Sequence, residues 1–198
     1  GDDREVLSLE EMVHEFRFER VSKSGAVFDR EKLNWMNQQY LLKLPEDEYF
    51  KMIDDVIQKG DYHDQDPGKI RQAAEILKTR LVTLSDLNQK LGLFFEENPE
   101  IKDLQAIEVL KEDNSKTVLK EFLQQAENLD QLTSENLGQL VKSVQKATGI
   151  KGRGLWMPLR CAITREVSGP ELPAMLDFFG GEKCLHLIRQ TLENPSLN

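Results

Sequence analysis

The residues best equipped for chemistry lie between Gly152 and Phe179, in the stretch GRGLWMPLRCAITREVSGPELPAMLDFF. Gly149, Gly152 and Gly154 break a preceding helical pattern and bracket two basic residues, Lys151 and Arg153. An apolar run from Leu155 to Leu159 carries Trp156, and Arg160 and Arg165 follow it. Gly169 and Pro170 then form an elbow, with Pro170 and Pro173 opening a second pattern of Leu172, Met175, Leu176 and Phe179. Arginines, a stacking ring and the free amides of a helix N-terminus are the parts that hold unstacked nucleotides. The same residue types also make an ordinary helix corner with Trp156 in the core. Residue types alone leave both readings open.

No other stretch offers chemistry. There is no phosphate-binding glycine loop, no dinucleotide fingerprint, no zinc-protease helix and no nucleophile elbow. His14, His63 and His186 are scattered, and Cys161 and Cys184 have neither metal-ligand spacing nor a histidine partner in sequence. The acidic loop Asp61 to Asp66 contains His63, but its spacing fits no metal loop, so a solvated turn is expected and no metal site. Paired acids such as Glu10-Glu11, Asp54-Asp55 and Glu96-Glu97 read as polar helix faces. A net charge of −9 argues against a protein that coats nucleic acid at large, yet it leaves room for one local basic patch. Two cysteines point to a reducing compartment, and no apolar run reaches membrane-spanning length. The acidic N-terminus is unlike a targeting peptide.

The elements that must position the Gly152–Phe179 stretch read as helices throughout. Ser8-Leu9-Glu10-Glu11 is a capping box opening a helix to about Phe16, expected to bury Leu9, Met12, Val13 and Phe16. A polar turn follows, in which Gly25 is expected to supply an unusual backbone angle and Asp29 the next cap. The helix from Arg30 to about Leu44 places Leu33, Met36, Tyr40 and Leu44 on one face, with Asn34, Asn37 and Gln38 beside it. Pro45 starts another, capped at Gly60. Asp66-Pro67 opens a helix with Ile70, Ala73, Ala74 and Leu77 inward, and Thr83 to Asp86 caps the next. Residues 99–110 have irregular apolar spacing and no readable state. Ser115 to Leu129 is amphipathic, and Thr133 opens a helix ended by Gly149. In the last pair, Leu172, Met175, Leu176 and Phe179 should share a buried face with Leu185 and Ile188. No run alternates as a strand does, so the fold class is all-α, an irregular stack or cage of seven to nine helices. The pattern divides near Leu44–Pro45, into a subdomain of residues 1–44 and a larger helical body of residues 45–198.

Two long motifs carry a family resemblance. SLEEMVHEFRFERVSKSGAVFDREKLNWMNQQYL, then TRLVTLSDL…LFF, then GRGLWMPLRCAITREVSGPELPAMLDFFGGEKCLHLI follow one another as they do in bacterial-type glutamyl-tRNA synthetases. The match runs from about Leu7 to Leu192 and resembles the C-terminal portion of that family: part of the stem-contact region, then an α-helical cage for the anticodon. The resemblance implies an anticodon-binding region of an ATP-dependent glutamate–tRNA ligase, a class I aminoacyl-tRNA synthetase. The family's nucleotide-binding catalytic domain has no counterpart here. Val21-Ser22-Lys23-Ser24 echoes its lysine loop but aligns with the downstream segment, so Lys23 is not read as an ATP-binding lysine. The chain is therefore expected to be an excised piece or a free-standing relative, without catalysis or cofactor of its own; ATP and Mg belong to the missing domain. The implied partners are tRNA(Glu), with tRNA(Gln) as a second candidate, and no membrane. The implied parent enzyme is monomeric and cytoplasmic, or resides in an organellar stroma or matrix.

Residue by residue, Arg160 matches a family arginine that approaches the anticodon. Gly169, Pro170 and Leu172 match the elbow that packs against splayed bases, and Trp156 falls where the family has a bulky residue in or under that surface. Arg80 lies near the family's discriminator of the third anticodon base, where the alternative is a helix C-terminal arginine meeting the dipole. Arg153 and Arg165 complete the basic set around the elbow. The competing functional class is a helical protein–protein interaction module that uses the same grooves without RNA.

Overall fold

The computed structural model describes residues 5–21, 25 and 27–197 of the 198-residue chain, together with the backbone but not the side chain of Arg20. Ser22, Lys23 and Ser24 lie outside the described residues. All regular structure among the described residues is helical. Among the described residues there are eleven α-helices, more than the seven to nine expected, in part because Asp103 caps a helix within the stretch whose apolar spacing gave no period. Contacts divide the chain into two compact units: residues up to His63 with Leu81–Gln89, and Asp64–Arg80 with Lys90 onward.

The first unit begins with α1, Leu9–Glu15. Its capping box forms as expected, with Glu11 N–H donating to Ser8 Oγ at 3.2 Å and Ser8 N–H to Glu11 Oε2 at 2.8 Å. Its apolar stripe is not buried, a correction to the expectation: Leu9, Met12, Val13 and Phe16 are all exposed. Helical period shows which residues share a face, not what covers it. Gly25 stands between Ser24 and Ala26, which lie outside the described residues, and the backbone angle expected of it falls outside them too. Asp29 caps α2, Arg30–Lys43, by accepting from Lys32 N–H. Tyr40 Oη donates to the Leu7 carbonyl at 2.6 Å, and the Asn37 amide donates to the Val82 carbonyl. The Asn37 side chain is therefore part of the unit's own wiring. Pro45 leads into α3, Glu46–Ile57, which buries Tyr49, Ile53 and Ile57. Asn88 clamps the following loop, accepting from Asp61 N–H and donating to Asp61 Oδ2.

The second unit holds the larger core. Asp66 caps α4, Pro67–Leu77, with Pro67 in the first turn where its missing N–H costs nothing. Ile70, Ala73, Ala74 and Leu77 face inward as their spacing requires. A 3-10 turn, Lys78–Arg80, follows it. Helix α5, Asp86–Phe95, brings Phe94 against Phe178, ring centroids 4.9 Å apart and edge-on. Helices α6, Leu104–Lys111, α7, Asp113–Ala126, and α8, Ser134–Thr148, lead to the left-handed cap Gly149 (φ 71°). Helix α9, Arg153–Thr164, α10, Leu172–Phe179, and α11, Gly181–Glu193, complete the unit. Helix α9 is the hub, packing on α6, α7, α10 and α11. Leu172, Met175 and Leu176 are buried with Leu185 and Ile188, the pair of faces foreseen. Phe179 is half-buried. Pro170 precedes α10 rather than opening it, because the helix starts at Leu172 and Pro173 occupies the first turn.

Candidate nucleic-acid interface

Helix α9 is apolar on most of its circumference. Leu155, Pro158, Leu159, Cys161, Ala162 and Ile163 are buried, and that packing fixes which side is left for solvent. Arg153, Trp156 and Arg160 lie at intervals of three and four, so they share the remaining face. Trp156 is 43% exposed, which removes the reading of a helix corner with the indole in the core. At the N-terminus of this helix Gly152 takes φ 61°, and no side chain caps the first turn. Lys151 and Arg153 flank that end and are exposed. A ring with an arginine on either side of it along one helix face can stack a base while offering guanidinium donors to its edge or to phosphate.

Arg160 does not stand alone. Its Nη2 donates to Glu171 Oε2 at 2.7 Å, and Arg80 Nη2 donates to Glu171 Oε1 at 3.3 Å. Two of the expected site residues, far apart in sequence, are thus brought together by one carboxylate. Glu171 was not among the tRNA-binding candidates; with Glu166 it is one of two acids close enough in sequence to pair with Arg160, and it stands at a cap position that ordinarily favours Ser, Thr, Asp or Asn. The turn between α9 and α10 holds a second acid, Glu166, whose oxygens both lie 3.4 Å from Lys90 Nζ.

Arg165 is a correction. It caps α9 in the left-handed region (φ 64°) and is only 6% exposed. Its Nη1 donates to the Ala162 carbonyl and to Thr191 Oγ1, and its Nη2 to Gln190 Oε1. Burial draws its pKa down to about 10. The side chain is turned into the unit against α11. Gly169, Pro170 and Leu172 are also buried, so they shape the elbow from beneath and present little surface to a base. A side chain at Gly169 would fall on the Thr164 hydroxyl, which is held in place by sharing its one proton between the Arg160 and Glu166 carbonyls, each 2.9 Å away. Closeness of backbone, rather than an unusual dihedral, is what requires glycine there.

Cys161 and Cys184 are buried and free. Burial, with Asp103 adding to it, pushes the Cys161 thiol up to about 11, and burial pushes Cys184 up to about 12. Neither is a nucleophile near neutral pH. Among the described residues no group of three His, Cys, Asp or Glu side chains is placed to hold a metal ion.

Residues 35–192 match the family model of the anticodon binding domain, and the chain belongs to that family. The resemblance drawn from the two motifs holds across nearly the whole chain. Glutamate–tRNA ligases of Finegoldia magna and Halalkalibacterium halodurans are 33% and 35% identical to it, each over 96% of this chain. The chain spans only about 40% of the length of those relatives. A solved glutamate tRNA ligase from Elizabethkingia meningosepticum, in complex with its amino acid, superposes with a TM-score of 0.68 at 25% identity. That superposition covers 98% of this chain and 38% of the other.

Proposed function

We propose that this chain is the anticodon-binding region of a glutamate–tRNA ligase and holds tRNA(Glu) for aminoacylation by a catalytic domain of the kind its relatives possess. The observation that carries the reading is the Arg153–Trp156–Arg160 face of α9, with Arg153 and Trp156 exposed and Arg160 partly so, within an anticodon-binding family fold. Stacking on Trp156 supplies sequence-tolerant attraction, and the arginine forks supply the donors that tell one base edge from another. The acidic remainder of the surface repels nucleic acid elsewhere and confines binding to this face. Nothing in this chain activates glutamate, and it needs no cofactor of its own; ATP and Mg serve the catalytic domain. tRNA(Gln) is the second candidate ligand. The working unit is a monomer in the cytoplasm. No helix among the described residues is long and apolar enough to cross a membrane. The family match disfavours the alternative of a helical module for protein partners.

The test is a titration of the tRNA(Glu) anticodon stem–loop against this chain at several salt concentrations. Binding should weaken with salt by a log–log slope of about −0.7 for each phosphate contact. Equal affinity for a hairpin of unrelated loop sequence would contradict the proposal, as would salt-independent binding.

A further inference from the structure

We infer that Glu171 is a specificity-determining residue, a built-in carboxylate that makes the Arg80–Arg160 pair favour the neutral edges of bases over phosphate. The inference deepens the anticodon-binding reading and rests on it. Glu171 occupies the cap position of α10, yet its side chain makes no capping bond to that helix. Its two oxygens go to two arginines instead, Oε2 to Arg160 and Oε1 to Arg80. The Glu171 side chain is 64% exposed, whereas those of Arg160 and Arg80 are 25% and 33% exposed. The carboxylate therefore sits outermost, over the guanidiniums that it gathers.

Two converging guanidiniums without a counter-charge would attract the phosphodiester of any RNA. With Glu171 between them the local charge falls from two positive units to one. Phosphate loses most by that change, because its attraction is Coulombic and long-ranged. A base carbonyl or ring nitrogen loses little. It needs donors held in a fixed place, and each arginine spends only an Nη2 donor on Glu171 and keeps the rest of its fork. The carboxylate thus lowers the reward for unselective backbone binding while holding both forks in register for a base.

The experiment compares wild type, Glu171→Gln and Glu171→Asp by fluorescence anisotropy. The probes are the tRNA(Glu) anticodon stem–loop and the same hairpin with its anticodon bases replaced. Glu171→Gln should bind the replaced hairpin about two- to fivefold tighter, shrinking the cognate preference by a similar factor. Its salt dependence should steepen by about 0.7 in log–log slope, the signature of one further phosphate contact. Glu171→Asp, which keeps the charge, should stay near wild type. An unchanged preference in Glu171→Gln overturns the inference, and so does a parallel loss for both hairpins at unchanged slope. If wild type itself fails to distinguish the two hairpins, the anticodon-binding reading fails first, and this one with it.

Discussion

Arg165 Nη1 donates to Thr191 Oγ1 at 2.8 Å, joining the C-terminal cap of α9 to α11 through the interior of the second unit. The guanidinium has no acid beside it among its hydrogen-bond partners; carbonyl, hydroxyl and amide oxygens hold it. Its Nε atom makes no hydrogen bond. Removing this side chain would leave Thr191 and Gln190 without their donor and open space beneath the elbow. Arg165→Ala should cost about 2–4 kcal/mol of unfolding free energy, read from urea denaturation. Arg165→Gly should lose about 1 kcal/mol less, because glycine takes the left-handed angle freely. Equal losses in the two variants would show that the backbone angle carries no strain.

Gly169 gives a second measure of the elbow. An alanine there meets the Thr164 hydroxyl and Cβ, so Thr164 must move and give up its bonds to the Arg160 and Glu166 carbonyls. Gly169→Ala should destabilise by about 1–3 kcal/mol, as overpacking commonly does. Pairing it with Thr164→Ser, which removes the neighbouring methyl group but keeps the hydroxyl, should return only part of that loss. Full additivity of the two changes would place them out of contact.

The thiols make a prediction about pH. Their ordinary pKa is 9.0, and in the folded chain Cys161 is raised to about 11 and Cys184 to about 12. Above pH 9 the unfolded state releases these protons while the folded state retains them. Stability from this source is complete below pH 9 and falls as pH rises from there through about 11 to 12. At pH 8 a thiol-specific disulfide reagent should label neither cysteine of the native protein within minutes, and both in denaturant. Prompt labelling in the native state would show that one of them is open to solvent.

Much of this architecture is legible in the residues because it is set locally. Ser8 with Glu11, Asp66 with Pro67, and Gly149 each announce a helix end through chemistry within one turn, and each behaves so. The inward face of α4 follows from its period. What escapes the sequence depends on distant segments. Arginine ordinarily lies outside, and only the arrival of Leu187, Gln190 and Thr191 on α11 makes a buried Arg165 tolerable. Glu171 gains its role from two arginines on separate elements. The apolar stripe of α1 shows the converse: its period is correct, yet its residues lie exposed.

The central claim, that the α9 face receives the anticodon, is tested most directly at Arg160. Affinity for the tRNA(Glu) anticodon stem–loop and the urea midpoint should be measured together for wild type, Arg160→Ala and Arg160→Lys. The account predicts that Arg160→Ala binds about tenfold or more weakly, the effect of one lost charge-assisted contact. Stability should change by no more than about 1 kcal/mol, since the ion pair with Glu171 is solvent-facing. Arg160→Lys should recover part of the affinity, a point charge being an incomplete substitute for a planar fork. Unchanged affinity in Arg160→Ala, accompanied by a large loss of stability, would assign Arg160 to the scaffold and contradict the account.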